Sequence, residues 1–263
     1  MILYFSGTGN TRHVAQKLAE LLGDTARPLT SDELRHPADA SLDTSDRRIV
    51  WAFPVYSWGL PPVVEEYIRK VRAASAVAQA THHVVMTCGD DTGYTDRQWR
   101  RLMELHGWKA GLAFSVQMPN TYVLMKGFDV DSPEVSAAKL AAAPDRLRRI
   151  ASTITGGSDA IPEGERLVRG AWPWIKSAII RPWFKRYAMS PRPFGTNGGC
   201  TGCGLCARSC PMANITMQID DRGEKRPSWG PACALCLRCY HICPRRAVTY
   251  GRTTDGKGQY LCR

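Results

Sequence analysis

Two short cysteine-rich runs constrain this chain more than any other feature. The first, CTGCGLCARSCP, occupies residues 200–211, and the second, CALCLRCYHICP, occupies residues 233–244. Both follow the spacing C-x2-C-x2-C-x3-C-P, and together they hold eight of the ten cysteines. Three closely spaced thiols in each run suit one compact object, and the fourth points away from it. In a reducing compartment such clustered thiols favour metal binding over disulfides.

The doubled spacing resembles that of bacterial two-cluster [4Fe–4S] ferredoxins, in which the fourth cysteine of each run binds the other cluster. On that resemblance the cysteines fall into two ligand sets: Cys200, Cys203, Cys206 and Cys243 for cluster 1, and Cys233, Cys236, Cys239 and Cys210 for cluster 2. Zinc or disulfides are weaker alternatives, because the full pattern occurs twice without a histidine ligand. Cys88 and Cys262 lie outside both sets.

The sequence around the two runs predicts a small α+β module over residues 194–263. The stretch NITMQIDDRGEKRPSW indicates a β-hairpin with its turn at Asp221–Gly223, because Asp and Gly favour tight turns. The stretch AVTY after Cys243 predicts a further short strand.

Residues 1–157 alternate between strand-like and helix-like segments. The predicted strands are residues 2–5, 26–30, 48–55, 83–87 and 112–117. The predicted helices are residues 11–22, 62–72, 95–106 and 132–156. Continuous apolar strands alternating with helices indicate an α/β fold, a doubly wound parallel sheet with helices on both faces.

A small, hydroxyl-rich loop, SGTGNT at residues 6–11, joins the first strand to the first helix. Backbone N–H groups and the helix dipole make such a loop an anion site, although hydroxyl side chains at a helix start also serve as ordinary caps. The loop lacks the lysine of a P-loop, and Arg12 replaces the third glycine of a Rossmann loop. We therefore expect phosphate binding by backbone N–H groups and hydroxyls.

Two further loops follow apolar strands, FPVYSWGLPP at residues 53–62 and TCGDDTGY at residues 87–94. In a doubly wound sheet, loops at the carboxyl ends of neighbouring strands meet near the point where the strand order reverses. Aromatic side chains beside a phosphate loop favour a slot for a flat ring that carries one phosphate.

These three loops resemble the FMN-binding loops of flavodoxin, and the whole chain is similar to flavodoxin–ferredoxin fusion proteins. The resemblance implies a flavodoxin-like sheet of order 2-1-3-4-5, FMN, and two [4Fe–4S] clusters in one polypeptide. Either Tyr56 or Trp58 would stack on the flavin, and Gly59 would contact its N5 atom. The implied FMN-binding residues are Ser6, Gly7, Thr8, Gly9, Asn10, Thr11, Pro54, Val55, Tyr56, Ser57, Trp58, Gly59, Thr87, Cys88, Gly89, Asp90, Gly93 and Tyr94.

Residues 158–193 differ from both flanking regions. The stretch AWPWIKSAIIRPWFKRYA mixes aromatic and basic residues, and Pro173 and Pro182 are predicted to break it into short pieces. We interpret it as a linker that packs between the domains; the alternative is a segment lying on a membrane surface.

Most of the net charge of +11 lies in the last third of the chain. Residues 158–263 contain 17 Lys and Arg against 7 Asp and Glu, whereas residues 1–157 contain 18 against 17. Part of this excess would offset the negative charge of the clusters. The remainder favours an acidic redox partner protein over nucleic acid.

The combined features predict an electron-transfer protein that relays electrons between the clusters and FMN, interconverting one- and two-electron traffic. The alternative is a flavin-dependent reductase that acts on a small acceptor. Cys88, Asp90 and Asp91 lie near the expected flavin, but the sequence has no distinct acid–base pair, and His82 and His83 are predicted to be structural. We therefore favour a carrier without its own small substrate.

The chain opens directly on a strand pattern, and its apolar runs are shorter than the ~18–20 residues of a membrane span. We accordingly expect a cytoplasmic protein without a transmembrane segment.

Overall fold

The computed structural model describes residues 1–262 of the chain. Its strands are β1 (Ile2–Tyr4), β2 (Ala26–Pro28), β3 (Ser41–Leu42), β4 (Arg48–Pro54), β5 (Arg72–Ala73), β6 (Thr81–Cys88), β7 (Lys109–Gln117), β8 (Phe194–Thr196), β9 (Ile215–Ile219), β10 (Lys225–Trp229) and β11 (Val248–Tyr250). Its α-helices are α1 (Asn10–Leu22), α2 (Ser31–Arg35), α3 (Pro62–Lys70), α4 (Ser75–Gln79), α5 (Thr95–His106), α6 (Pro133–Thr155), α7 (Pro173–Ile175), α8 (Arg181–Tyr187), α9 (Leu205–Arg208) and α10 (Arg238–Ile242).

A five-stranded parallel sheet of order β2-β1-β4-β6-β7 forms the centre of the N-terminal region. Numbered along the chain, these five strands have the order 2-1-3-4-5, so the predicted flavodoxin-like fold is confirmed. The middles of the central strands are apolar because helices cover both faces of the sheet. Successive residues of β4 show this, since Trp51 packs in the core beneath α3 and α5, while Val50 packs in the core beneath α1 and α6.

The buried histidines are structural, as the sequence predicts. The His82 Nδ1 atom accepts a hydrogen bond from Trp51 Nε1 at 3.1 Å, and the His82 ring stacks on Trp108. The His83 Nδ1 atom accepts a hydrogen bond from the Leu112 backbone N–H at 3.1 Å. The sequence analysis did not predict helices α2 and α4 or the short β3–β5 pair.

The C-terminal region is built from a structural repeat with an offset of 33 residues. Strand β9 pairs with β10 in the predicted hairpin, and β8 pairs with β11. The repeat is visible in the backbone, because residues in the left-handed region occur at matching places in each half: Gly202 and Leu235, Gly204 and Leu237, and Ala213 and Arg246. A leucine in this conformation costs roughly 1–2 kcal/mol because its Cβ clashes with the backbone. The second loop therefore adopts the geometry of the first although it has leucine where the first has glycine.

The predicted break at Pro182 is wrong, whereas Pro173 lies at the first position of a helix. Helix α7, a π-helical stretch (Lys176–Ile180) and helix α8 follow one another without interruption, giving one helical segment over residues 173–187. Pro182 lacks a backbone N–H, and the wider π turn just before it accommodates the missing hydrogen bond. We call residues 173–187 the lid helix.

Within residues 1–262, no helix is both long enough and apolar enough to cross a membrane.

Candidate functional site

The first set of cysteines surrounds one cavity. Its wall includes three thiols of the first run and one of the second: Cys200, Cys203, Cys206 and Cys243. The short helices α9 and α10 pack against each other, which carries Cys243 across to the first run. The structure therefore brings together the four residues that the crossed pattern assigns to cluster 1.

The second set also gathers, deeper in the protein. Burial raises the pKa of the Cys239 thiol to about 12, and the neighbouring sulfur atoms of Cys233 and Cys210 raise it further. Burial raises the pKa of Cys236 as well, with Cys239, Cys210 and Cys233 as its charged neighbours. Four thiols this close ionise together only beside a multivalent cation, so the donor set suits an iron–sulfur cluster.

Backbone N–H groups support the sulfur atoms in both halves. The Asn214 N–H donates to Cys210 Sγ at 3.5 Å, and the Ala247 N–H, 33 residues later, donates to Cys243 Sγ at 3.3 Å. The Leu235 N–H donates to Cys233 Sγ at 3.4 Å. Such bonds to sulfur are one of the means by which a protein tunes cluster potential, so the residues present fit [4Fe–4S] clusters.

Among residues 1–262, no three His, Cys, Asp or Glu side chains converge closely enough to hold a single metal ion. This finding is compatible with a cluster, because the four thiolates around a cubane each bind a different iron atom and lie farther apart than the ligands of one ion.

A second, larger cavity lies at the carboxyl edge of the parallel sheet. The three loops expected to bind FMN meet there, and most of the residues named for them line it: Ser6, Gly7, Thr8, Asn10, Thr11, Pro54, Val55, Tyr56, Ser57, Trp58, Thr87, Cys88, Gly89 and Asp90. Thr11 and Thr87, from neighbouring loops, share a buried hydrogen bond of 2.7 Å between their Oγ1 atoms.

Four of the residues named for FMN lie behind this cavity rather than on its wall: Gly9, Gly59, Gly93 and Tyr94. Gly59 exchanges backbone hydrogen bonds with Tyr56, and its Cα faces the Arg181 guanidinium. The Tyr94 ring instead lies 3.8 Å from Arg97 Cζ. Gly59 is therefore not among the residues that line the cavity, and its contact with a flavin N5 atom stays a prediction.

Unpaired polar atoms mark the cavity as a ligand site. Asn10 Oδ1, Ser57 Oγ and the Tyr122 hydroxyl are buried and have no hydrogen-bond partner within residues 1–262, and all three residues line the cavity. Buried polar groups without partners are rare in folded proteins and point to an absent ligand or water. Ser57 and Trp58 also have left-handed backbones, a strain that concentrates at functional loops. An elongated ligand with several polar groups, such as FMN, suits this cavity.

The sequence analysis missed three contributors to the cavity wall. They are the loop after β7, the lid helix, and the cysteine loop of the second run: Met118–Tyr122, Lys176, Ile180, Trp183, Phe184 and Leu235–Leu237. The position of the first, at the carboxyl end of the next parallel strand, could have identified it. The other two depend on packing between distant parts of the chain.

The second cysteine loop touches the phosphate-type loop directly. Cys236 lines the same cavity as Gly7, and Arg238 Nη1 donates a hydrogen bond to the Gly7 carbonyl at 2.9 Å. The His241 Nε2 atom lies 2.9 Å from the Thr121 carbonyl oxygen, so α10 is also tied to the loop after β7. Burial raises the pKa of Tyr56 far above its usual value, and nearby Cys236 and Cys233 raise it further.

Residues 1–122 match the family described as flavodoxin domain, and residues 199–248 match the family described as 4Fe-4S dicluster domain. The chain joins a flavodoxin domain to a 4Fe-4S dicluster domain. The pairing makes it a flavin and iron–sulfur electron-transfer protein.

Solved structures similar to this chain cover its N-terminal part. A flavodoxin from Streptococcus pneumoniae TIGR4 is 17% identical, with a TM-score of 0.36, over 59% of this chain and 96% of its own. The flavodoxin of Megasphaera elsdenii is 22% identical, with a TM-score of 0.34, over 54% of this chain and 96% of its own. The Trp repressor binding protein of Bacillus subtilis is 12% identical, with a TM-score of 0.38, over 57% of this chain and 96% of its own. No curated protein matches the chain.

The lid helix is fastened to the flavodoxin domain by polar contacts. Lys176 Nζ donates to Asp91 Oδ2 at 2.5 Å, and the Ser177 hydroxyl donates to the Trp58 carbonyl at 3.2 Å. The buried Arg181 guanidinium donates to the carbonyls of Tyr56 and Leu60 at 2.7 and 2.6 Å. These bonds hold the helix across the cavity and fix the loop that carries Trp58.

Three titratable side chains near the flavin cavity, Cys88, Asp90 and Asp91, are poorly placed for proton transfer. Burial, together with Asp91 and Asp90, raises the pKa of the Cys88 thiol to about 12. Asp91 is engaged by Lys176 and by the Gly93 N–H. The Asp90 carboxyl is 85% exposed and lies 3.9 Å from Lys139. No acid–base pair is therefore formed by these three residues.

Proposed function

We propose that this protein relays electrons between two [4Fe–4S] clusters and FMN, in a reducing cytoplasm, and so couples one-electron to two-electron traffic. The single observation that carries this proposal is that Cys236 lines the same cavity as the flavodoxin loops. Iron–sulfur clusters exchange single electrons, and a bound flavin exchanges one or two. The protein holds these groups side by side within one folded chain.

The proposed ligands of cluster 1 are Cys200, Cys203, Cys206 and Cys243, and those of cluster 2 are Cys233, Cys236, Cys239 and Cys210. The shared cavity of the first set and the mutual proximity of the second support this crossed assignment. The resulting order of sites is cluster 1, cluster 2 and then FMN, because Cys236 of the second set abuts the flavin cavity. Residues 1–157 would hold FMN, residues 194–263 the clusters, and residues 158–193 would connect the two.

An acidic redox protein is the proposed partner at the cluster 1 end. Cys203 is exposed, so this end of the relay reaches the surface. Exposed basic side chains lie in the segments around the first cavity: Arg208, Lys225, Arg245 and Arg246. Positive charge beside an exposed electron entry point steers a negatively charged partner and speeds its association.

The ion pair of Asp91 and the burial of Cys88 support a carrier over a reductase with its own small substrate. A reductase that protonates its acceptor needs a positioned acid within hydrogen-bond reach. Asp91 is paired with Lys176, and the Cys88 thiol is buried.

The composition test is direct. Anaerobically purified protein should contain about eight iron atoms per chain, from the count of cysteine ligands, and should release FMN on denaturation. About four iron atoms, zinc in place of iron, or no flavin would each contradict the proposal.

The relay test uses Cys243→Ala, which removes a proposed cluster 1 ligand that does not line the flavin cavity. Reduction of the flavin by a one-electron protein donor should slow at least about tenfold, while FMN content stays unchanged. Cys262→Ala is the matched control, because it removes a buried thiol outside both ligand sets. Equal rates of flavin reduction in both variants would show that electrons bypass cluster 1.

A further inference from the structure

The outer face of the lid helix and the residue before it form an exposed aromatic surface. Its large apolar side chains are all more than half exposed: Trp172 (73%), Trp174 (59%), Ile179 (53%), Trp183 (56%) and Tyr187 (65%). Large side chains are rarely exposed in such numbers within a stretch of sixteen residues, and such patches mark interaction surfaces.

Helical spacing separates this surface from the face that packs on the protein. Ile179, Trp183 and Tyr187 follow one another at intervals of four residues and form a stripe along the outside. Arg181 points the other way and is only 6% exposed, because its guanidinium bonds the loop beneath. The helix is therefore held on the protein by polar contacts while its aromatic stripe faces outward.

Positive charge accompanies the stripe. Arg186 and Arg192 are exposed, and the Lys185 side chain is 48% exposed although it also pairs with Glu65 at 3.1 Å. Tryptophan and tyrosine prefer the headgroup level of a bilayer, and neighbouring Lys and Arg side chains reach its anionic phosphates. We propose that Trp172 and the outer face of the lid helix bind the surface of a membrane that contains anionic lipids.

The shape of the surface favours lipid over a protein partner. Trp172, Trp174, Ile179 and Tyr187 are absent from the walls of the cavities described above, so they project outward rather than frame a pocket. The Trp183 and Tyr187 rings lie together, with their centroids 5.9 Å apart. A fluid headgroup layer accommodates such projecting rings, whereas a protein partner needs packed, complementary pockets. The helix would lie along the membrane surface without crossing it.

This attachment would place the flavin cavity beside the bilayer. Trp183 belongs both to the exposed stripe and to the cavity wall, and Phe184 and Lys176 line the cavity from the inner face of the same helix. The inference goes beyond the proposed relay and does not depend on it, because lipid binding is measured without electron transfer.

The test is co-sedimentation of the cofactor-loaded full chain with vesicles. One set is pure phosphatidylcholine, and the other contains about one-third phosphatidylglycerol as the anionic lipid. We expect binding to the anionic vesicles that falls with added salt, and little binding to the neutral ones. The double variant Trp172→Ser/Trp174→Ser should weaken this binding at least about tenfold, since two interfacial anchors are lost. These residues lie outside the flavin cavity wall, so FMN content should not change.

The matched control is Leu105→Ser/Ile219→Ser. It removes two other exposed apolar side chains, 60% and 67% exposed, that lie far along the chain from the lid helix. The control should bind the anionic vesicles as the unaltered chain does. Absence of binding by the unaltered chain, equal binding to neutral and anionic vesicles, or equal losses in both double variants would each overturn the proposal.

Discussion

Cys236 packs directly on Gly7. A Cβ atom added to Gly7 would lie 2.6 Å from the Cys236 carbonyl oxygen and 2.8 Å from its Cβ, closer than real side chains approach. The Arg238 guanidinium bonds the carbonyl of the same glycine. The first loop of the flavodoxin domain is therefore also the surface on which the second cysteine loop rests. Glycine is required there by this close approach, because the backbone of one domain lies where a side chain would be.

Gly7→Ala should separate the two loops. Overpacking of this kind costs roughly 1–3 kcal/mol of folding free energy, and here the displaced loop carries a proposed cluster ligand. We expect a lower melting temperature and slower reduction of the flavin through the clusters. Gly198→Ala is the control, because a Cβ at Gly198 meets nothing within 4 Å. Identical melting temperatures and electron-transfer rates for the two variants would contradict the tight contact.

Arg181→Met should weaken FMN binding. The guanidinium holds the carbonyls of Tyr56 and Leu60, and its loss frees both the lid helix and the loop that lines the cavity. We expect the FMN dissociation constant to rise about tenfold, equivalent to ~1.4 kcal/mol. Fluorescence titration of the flavin-free protein measures it. Arg186→Met changes an exposed residue of the same helix and should leave the FMN dissociation constant unaltered. An equal increase of that constant in Arg186→Met would contradict the role given to the Arg181 hydrogen bonds.

Arg169→Met should destabilise the fold by about 3 kcal/mol. Arg169 makes two bonds, of 2.7 and 3.0 Å, to the carboxylate of Asp96, whose side chain is only 6% exposed. Removing the cation leaves a buried unpaired charge. Adding Asp96→Asn should recover part of the loss, as measured by urea denaturation.

The control for this pair is Arg148→Met, which breaks an exposed pair with Asp145. Such surface pairs contribute about 0–1 kcal/mol, so little change is expected. Losses of similar size for Arg169→Met and Arg148→Met would mean that burial of Asp96 has no energetic consequence.

His83 should make the fold less stable as the pH falls below neutrality. Burial, then the charges of Arg48 and His82, lowers the pKa of His83 from 6.5 to about 4. The unfolded chain therefore binds the proton first, and stability is lost progressively from about pH 6.5 down to about pH 4. At about pH 5.5 the lowered pKa of His83 reduces the free energy of unfolding by ~1 kcal/mol relative to its value above neutrality.

His83→Asn keeps an acceptor for the Leu112 N–H but cannot gain a proton in this range. The variant should lose less stability than the unaltered chain between about pH 7.5 and pH 5.5, in urea denaturation at each pH. An unchanged profile for His83→Asn would mean that His83 does not titrate in this way.

The local features of this protein follow from its sequence. Continuous apolar strands predict a parallel sheet buried on both faces, and its strand order agrees with the flavodoxin resemblance. The two cysteine sets that the structure gathers agree with the ferredoxin resemblance. The spacing within each run brings three thiols together, whereas packing between α9 and α10 brings the fourth from the other run. The phosphate-type loop and the aromatic loops likewise lie where strand ends must meet.

The contacts between these parts were decided by the tertiary structure. No local pattern indicates that Cys236 rests on Gly7, or that the lid helix closes the flavin cavity with Arg181 inside and Trp183 at its edge. Pro182 predicts a break that the π turn absorbs. The close packing of Gly59 against the Arg181 guanidinium likewise joins two distant parts of the chain. Local sequence determines each loop and helix, whereas their mutual placement depends on surfaces brought together from distant residues.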